Sequence, residues 1–211
     1  MDRLRPRIDL NVAYDEKENV KALKTEQVVV LWDPAVKRWY VPEGKPSWPF
    51  EKWMPHPVGN IRWNDFFLAR AMTACWKCHS KTDVSAIILP QHEAFVVDEK
   101  NGLEFWRHHP QAVMLNYVSW IHPDVEAVIQ RHLPSNRYRL SNGYMTNHCT
   151  GCDARQSDVY LFNQPGHAFS PGSIDDAKEI DVLPISHEFV GVAGSSGLIT
   201  DYLMHFCIME G

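Results

Sequence analysis

Cys75-Trp76-Lys77-Cys78 and Cys149-Thr150-Gly151-Cys152 are the two stretches on which the reading of this chain turns. Zinc takes four soft donors in a tetrahedron, and two C-x-x-C turns brought face to face supply them. Lys77 sets a cation beside one pair and Gly151 allows a tight turn with unshielded amides at the other, and both features favour the thiolate. The spacing predicts one structural Zn2+ held by Cys75, Cys78, Cys149 and Cys152. From His79 to His148 there are 70 residues, against about 15 to 20 between the pairs of a compact zinc ribbon. The expectation is therefore a zinc-ribbon-like domain over 58–211 carrying a long α/β insertion at 79–148. His79 and His148 abut the pairs, and either is a candidate to replace a cysteine. A redox dithiol and buried free thiols compete with zinc. A thioredoxin-like site needs its C-x-x-C at a helix start in a βαβ setting, which neither pair has. Cys207 reads as a buried thiol on a terminal helix.

Outward from the first pair, FFLARAMT (66–73) reads as a short helix capped by Asn64 or Asp65 and leading into Cys75. Val84–Leu89 and Ala94–Val97 read as strands. Within Gln111–Arg131 apolar residues recur three or four apart, which predicts two short helices broken at His122-Pro123. Tyr138–Asn147 and Val159–Phe162 are strand candidates flanking the second pair. Gly191–Gly197 reads as a glycine-rich loop, with Ser195 or Ser196 capping a helix whose face is Leu198, Ile199, Tyr202, Leu203 and Phe206. His108-His109 and His122 read as surface or capping residues.

Pro55, Pro57 and Gly59 mark a linker, so residues 1–57 form a separate, aromatic-rich α+β unit. Its plan is a strand at IDLNV, a helix Glu16–Leu23 capped by Asp15, and a hairpin of Val28–Trp32 and Arg38–Val41 around DPAVK. A unit this small with few Leu or Ile needs large rings to bury enough area, so Trp32 and Trp39 are expected in the core. Trp48 and Trp53, beside prolines, are open between core and surface. Lys37, Arg38, Trp39, Tyr40, Trp48 and Trp53 are the candidate contacts to nucleic acid or a partner.

LNVAYDEKENVKAL, LWDPAVKRWYVPEG and PFEKWMP together resemble a small bacterial domain of unknown function that accompanies plasmid-transfer primases. The matching positions are Ala22, Trp32, Asp33, Lys37, Trp39, Tyr40, Val41, Pro42, Phe50 and Trp53, while KTEQVVV stands where a glycine-rich turn usually follows the helix. The resemblance covers about fifty residues. It implies an association with mobile DNA elements and no catalytic residue. NHCTGCDARQSDVYLF is similar to a segment of uncharacterised bacterial zinc-ribbon-like proteins, matched at Asn147, Cys149, Cys152, Ala154, Gln156 and Asp158; Asp153 replaces their usual glycine.

The 211-residue chain holds 26 acidic against 21 basic residues, a formal net charge of -5, which argues against a protein that coats nucleic acid. The acidity is C-terminal: from Asp153 onward two cations, Arg155 and Lys178, face nine acids. Nucleic-acid contact is therefore expected on the first half, and the acidic half suits a basic protein partner. Apolar runs fall short of the roughly 20 residues of a membrane span. The paired cysteines suit a reducing compartment, so the cytoplasm is the expected location. A closed shell of four thiolates is structural. His92-Glu93 and His187-Glu188 are not H-x-E, and Gly191 breaks H-E-x-x-H. The chain is thus expected to be a non-enzymatic, zinc-stabilised binding protein of a bacterial mobile element or phage, acting on a protein or nucleoprotein partner; inhibition of a host defence complex would suit it. A nucleic-acid-binding accessory factor of plasmid transfer or replication is the alternative, and an enzyme with an unrecognised site the third reading.

Overall fold

The computed structural model describes residues 2–133, 137–164 and 166–196. Its strands are, in chain order, β1 (Arg3–Leu4), β2 (Ile8–Leu10), β3 (Leu31–Asp33), β4 (Arg38–Val41), β5 (Ile61–Trp63), β6 (Phe66–Ala74), β7 (Lys81–Leu89) and β8 (His92–Val97). They continue as β9 (Glu104–His109), β10 (Val113–Ile121), β11 (Tyr138–Ser141), β12 (Tyr144–His148), β13 (Arg155–Gln156), β14 (Asp181–Ile185) and β15 (Phe189–Ser196). The helices are short: α1 (Lys17–Ala22), α2 (Pro123–His132), α3 (Asp158–Asn163) and α4 (Ile174–Lys178). The fold is mixed and mostly β-sheet. Among the described residues no helix is long and apolar enough to cross a membrane. Two compact units form, one gathering the chain up to Val58 with Glu93–His108, the other Gly59–His92 with the described residues from His109 onward.

In the first unit a sheet of order β2-β4-β3 sets Ile8 opposite Val41, Leu10 opposite Trp39 and Trp32 opposite Trp39. Paired residues share a face, so these side chains lie together, while Tyr40, Leu31 and Asp9 take the other face. The expected hairpin forms, its turn fixed by Asp33 Oδ1 accepting the Ala35 N–H at 3.0 Å. Leu10, Val20, Val30, Val41, Phe50 and Trp53 are its buried core. Trp39 packs on that core partly buried, but Trp32, on the edge strand β3, is 47% exposed. Asp15 does not cap the helix: a 3₁₀ turn, Tyr14–Glu16, leads into α1 without a side-chain cap bond. Glu16 instead takes the Trp53 Nε1–H at 2.8 Å and the Lys52 ammonium. β9 pairs with β1, and Glu104 of β9 buries its carboxylate against Arg5 at 2.6 Å.

The second unit is built on antiparallel strands in the order β5-β15-β10-β7-β6-β14. Both faces of its centre are covered. Ile87 and Leu89 of β7 point into a core completed by Val125, Val128 and Ile129 of α2 with Tyr138 and Met145. Val84, Ala86 and Ile88 point oppositely, against Leu161 and Phe162 of α3 and Phe169. Such two-sided burial removes the alternation that marks a strand, and it explains the misread elements. FFLARAMT is not a helix but most of β6, paired along its length with β7 from Phe67–Ile88 to Ala74–Lys81. The first of the two helices expected within 111–131 is β10, which leaves α2 as the second; His122 caps it, Nδ1 accepting the Asp124 N–H at 3.3 Å, with Pro123 in the first turn. Val159–Phe162 belongs to α3, not a strand, and Gly191 to Ser196 is ladder rather than loop. The expected terminal helix with Cys207 lies outside the described residues.

Candidate functional site

β6 and β7 are joined by the first cysteine turn, β12 and β13 by the second, and the two turns are built alike. In the first, Cys75 N–H donates to Ser80 O at 2.9 Å and His79 N–H to Cys75 O at 2.9 Å. In the second, Cys149 N–H donates to Ala154 O at 2.9 Å and Asp153 N–H to Cys149 O at 3.0 Å. Each first cysteine also accepts a backbone N–H two residues on, Lys77 to Cys75 Sγ at 3.4 Å and Gly151 to Cys149 Sγ at 3.3 Å. The residue after each second cysteine is left-handed, His79 at φ 60 and Asp153 at φ 60. That conformation favours glycine, and His and Asp are among the other residues that adopt it most readily.

The four sulfurs lie within 4.8 Å of one another. Cys75 Sγ is 3.7 Å from Cys152 Sγ, and Cys78 Sγ 3.7 Å from Cys149 Sγ. Zn–S bonds of about 2.3 Å in a tetrahedron put the sulfurs about 3.8 Å apart, so the cluster is positioned to hold a metal ion and its dimensions are compatible with zinc. The thiols are pulled in different directions. The Cys152 N–H, against burial and with the Gly151 N–H and Ser80 hydroxyl, draws Cys149 down to about 5. At Cys152 the Ala154 backbone pulls the other way, but burial and the neighbouring thiols push it up to about 12. A cation among the sulfurs removes that conflict.

His79 and His148 do not join the cluster. His148 turns its ring to Asp153 O (Nδ1, 3.1 Å) and the Thr146 hydroxyl (Nε2, 3.2 Å), and His79 is exposed. Asn147 and Gln156 brace the strands that carry the second pair. Asn147 clamps β7, accepting the Ser85 N–H at 2.7 Å and donating to Ser85 O at 2.8 Å. Gln156 donates from Nε2 to Cys75 Sγ at 3.4 Å and Ala154 O at 2.8 Å. Ser80, at 2.9 Å from Cys78 Sγ and 3.7 Å from Cys149 Sγ, was not singled out from sequence; hydroxyl residues beside a C-x-x-C were the available signal.

A second feature lies within the first unit. Between α1 and the open end of the β2-β4-β3 sheet runs a groove of about 860 Å³ whose lining includes Tyr14, Lys17, Lys21, Trp32, Lys37 and Trp39. Arg38 also lines it. Trp32 and Trp39 meet at 5.5 Å between centroids, tilted by 59°. Lys17 caps the Tyr14 ring at 4.1 Å. Of the sequence candidates, Lys37, Arg38 and Trp39 come together here. Tyr40 lies on the opposite sheet face under the Arg7 guanidinium (3.8 Å), Trp48 is 70% exposed away from the groove lining, and Trp53 is a core ring. Tyr14, Lys17, Lys21 and Trp32 complete the groove. The hairpin register pairs Trp32 with Trp39, but the approach of α1 has no local signal.

A family model described as Domain of unknown function (DUF5710) matches residues 7–55. Those residues include β2, β3, β4, α1 and every residue named in the groove. No curated protein and no solved structure matches the chain.

Proposed function

We propose that this protein is a non-enzymatic nucleic-acid-binding accessory factor of a bacterial mobile element, serving plasmid transfer or replication, with one structural zinc in a ribbon-like clamp. The groove of the first unit carries the reading. Exposed Trp32 and Tyr14 offer ring faces to unpaired bases, and Lys17, Lys21, Lys37 and Arg38 stand beside them as phosphate partners. Aromatic platforms interleaved with cations are the arrangement by which a chain with net negative charge still holds a nucleic-acid strand locally. The zinc has no substrate-facing part in this reading, since four thiolates leave no open coordination position. The mobile-element context rests on the resemblance of the N-terminal motifs to a domain that accompanies plasmid-transfer primases; the family match over residues 7–55 is to a domain of unknown function.

Fluorescence anisotropy with labelled single- and double-stranded DNA and RNA tests it. Binding to single strands that weakens with salt, and that Trp32→Ala with Lys37→Ala reduces about tenfold or more, is expected. Indifference to that double substitution would remove the groove from the reading. Capture of a protein partner by a chain that binds no nucleic acid would replace it with the purely protein-directed function. Elemental analysis should find about one zinc per chain, lost in Cys75→Ser and Cys149→Ser.

A further inference from the structure

One face of the sheet β11-β12-β13 collects cations that are scattered in the sequence. Arg139 pairs with Thr146, Ser141 with Tyr144 and Arg155 with His148, so Arg139, Tyr144 and Arg155 share one face. Arg137 joins them from just before β11: with Arg139 it holds the Asp153 carboxylate, at 3.0 and 2.8 Å. Among the described residues β11, β12 and β13 contain no Asp or Glu, so Asp153 reaches the face from the knuckle at its edge. Counted along the chain, Arg155 falls in an acidic half, but the sheet returns it to two other arginines.

The rings on this face are held at a cost to the backbone. Tyr117 sits in β10 at φ 47, a conformation a bulky side chain rarely takes, where the ladder to β15 shifts register. Asp158 fixes it, Oδ2 accepting the Tyr117 N–H at 3.0 Å. The carboxylate is 4% exposed, its Oδ1 has no hydrogen-bond partner, and burial pushes its carboxyl up to about 6. The Tyr117 ring is thereby left 44% exposed, edge-to-face with Tyr144 at 5.3 Å, and the Arg155 guanidinium lies 5.5 Å from the Tyr144 centroid. Strained backbone and a half-satisfied buried acid persist where the surroundings enforce them, and their product here is an exposed aromatic-cation row.

We infer that this face is a second binding surface for single-stranded nucleic acid, separate from the groove of the first unit, with Tyr117 and Tyr144 stacking on bases and Arg137, Arg139 and Arg155 meeting phosphates. The charge is complementary to a polyanion, and flat rings beside guanidinium planes suit unpaired bases, which a duplex does not present. Asp158 is a positioning residue that acts through the Tyr117 backbone.

The test uses the zinc-loaded full chain and a fluorescein-labelled oligothymidylate of about twenty nucleotides, longer than one site of this kind needs. Tyr144→Ala with Arg155→Ala is expected to weaken binding about tenfold or more, and to flatten the salt dependence by roughly 0.7 per lost phosphate contact. Arg155→Gln alone, a substitution at an exposed position, should flatten the salt dependence and retain most of the affinity. Native-like affinity and salt slope in both variants would overturn the inference. Groove variants separate the two surfaces. If Trp32→Ala with Lys37→Ala abolishes binding while the Tyr144 and Arg155 variants bind normally, this second surface is refuted and the groove stands. The reverse pattern refutes the groove and supports the second surface. Equal affinity for a polyglutamate peptide would overturn nucleic-acid recognition in favour of an acidic protein segment.

Discussion

Arg5 and Glu104 lie 99 positions apart in the chain, yet each side chain is 1% exposed and the pair is closed at 2.6 Å. Every side-chain nitrogen and oxygen of the pair has a partner. Arg5 donates to Pro42 O at 3.0 Å and Lys45 O at 2.8 Å, and Glu104 Oε1 accepts the Ser47 N–H at 2.5 Å. Burial lowers the Arg5 pKa and Glu104 opposes it. Taking one partner away strands the other charge without its counter-ion, which costs about 3–5 kcal/mol. Glu104→Ala should therefore lower the unfolding free energy of the first unit, read from its urea curve, by that amount, and Glu104→Gln, which keeps an acceptor, by less. A urea curve for the alanine variant that superimposes on the native one would contradict this. Nothing local in LEFWRHH announces the partnership, because a lone Glu between apolar residues reads equally well as a solvated strand residue.

At the scale of elements, the two cysteine turns repeat one design, and their left-handed residues make it testable. Among the described residues the exposed His79 side chain makes no hydrogen bond in the knuckle, so His79→Gly should be neutral or raise stability by up to about 1 kcal/mol. His79→Val, a β-branched residue at φ 60, should cost about 1–2 kcal/mol. Thermal melting of the zinc-loaded protein distinguishes them, and equal melting of the Gly and Val variants would show that the turn is not left-handed in solution. The knuckles were legible because metal ligation imposes residue type and spacing together. β6 and β10 were not. Phe66, Leu68 and Ala69 are all buried although they lie on different faces, and a strand covered on both sides has the same apolar density as a helix.

At the scale of the molecule, the cluster closes a loop of 70 residues between His79 and His148. A cross-link of that span removes on the order of 4 kcal/mol of unfolded-chain entropy in the loop-closure account. In the proposed reading all four sulfurs serve one ion, so the losses should not add. Cys75→Ser, Cys149→Ser and the double variant are expected to unfold at nearly the same denaturant concentration, matching native protein stripped by a chelator. Additive losses from the single substitutions would mean that the thiols stabilise the fold independently of a shared metal.

What the sequence determined by itself was the chemistry that is dictated by type and spacing: the four cysteines, the N-terminal hairpin with its Asp33 turn, and the His122-Pro123 start of α2. These rest on interactions within a few residues, or on a ligand set that few other residues can supply. Only the tertiary structure decided which strands are covered on two faces and which rings stay exposed. It also decided that Arg137, Arg139 and Arg155 meet Tyr117 and Tyr144, and that α1 closes one side of a groove against Trp32. Each of these depends on pairing register between distant segments, and a one-residue change of register turns a side chain to the opposite face without altering the sequence.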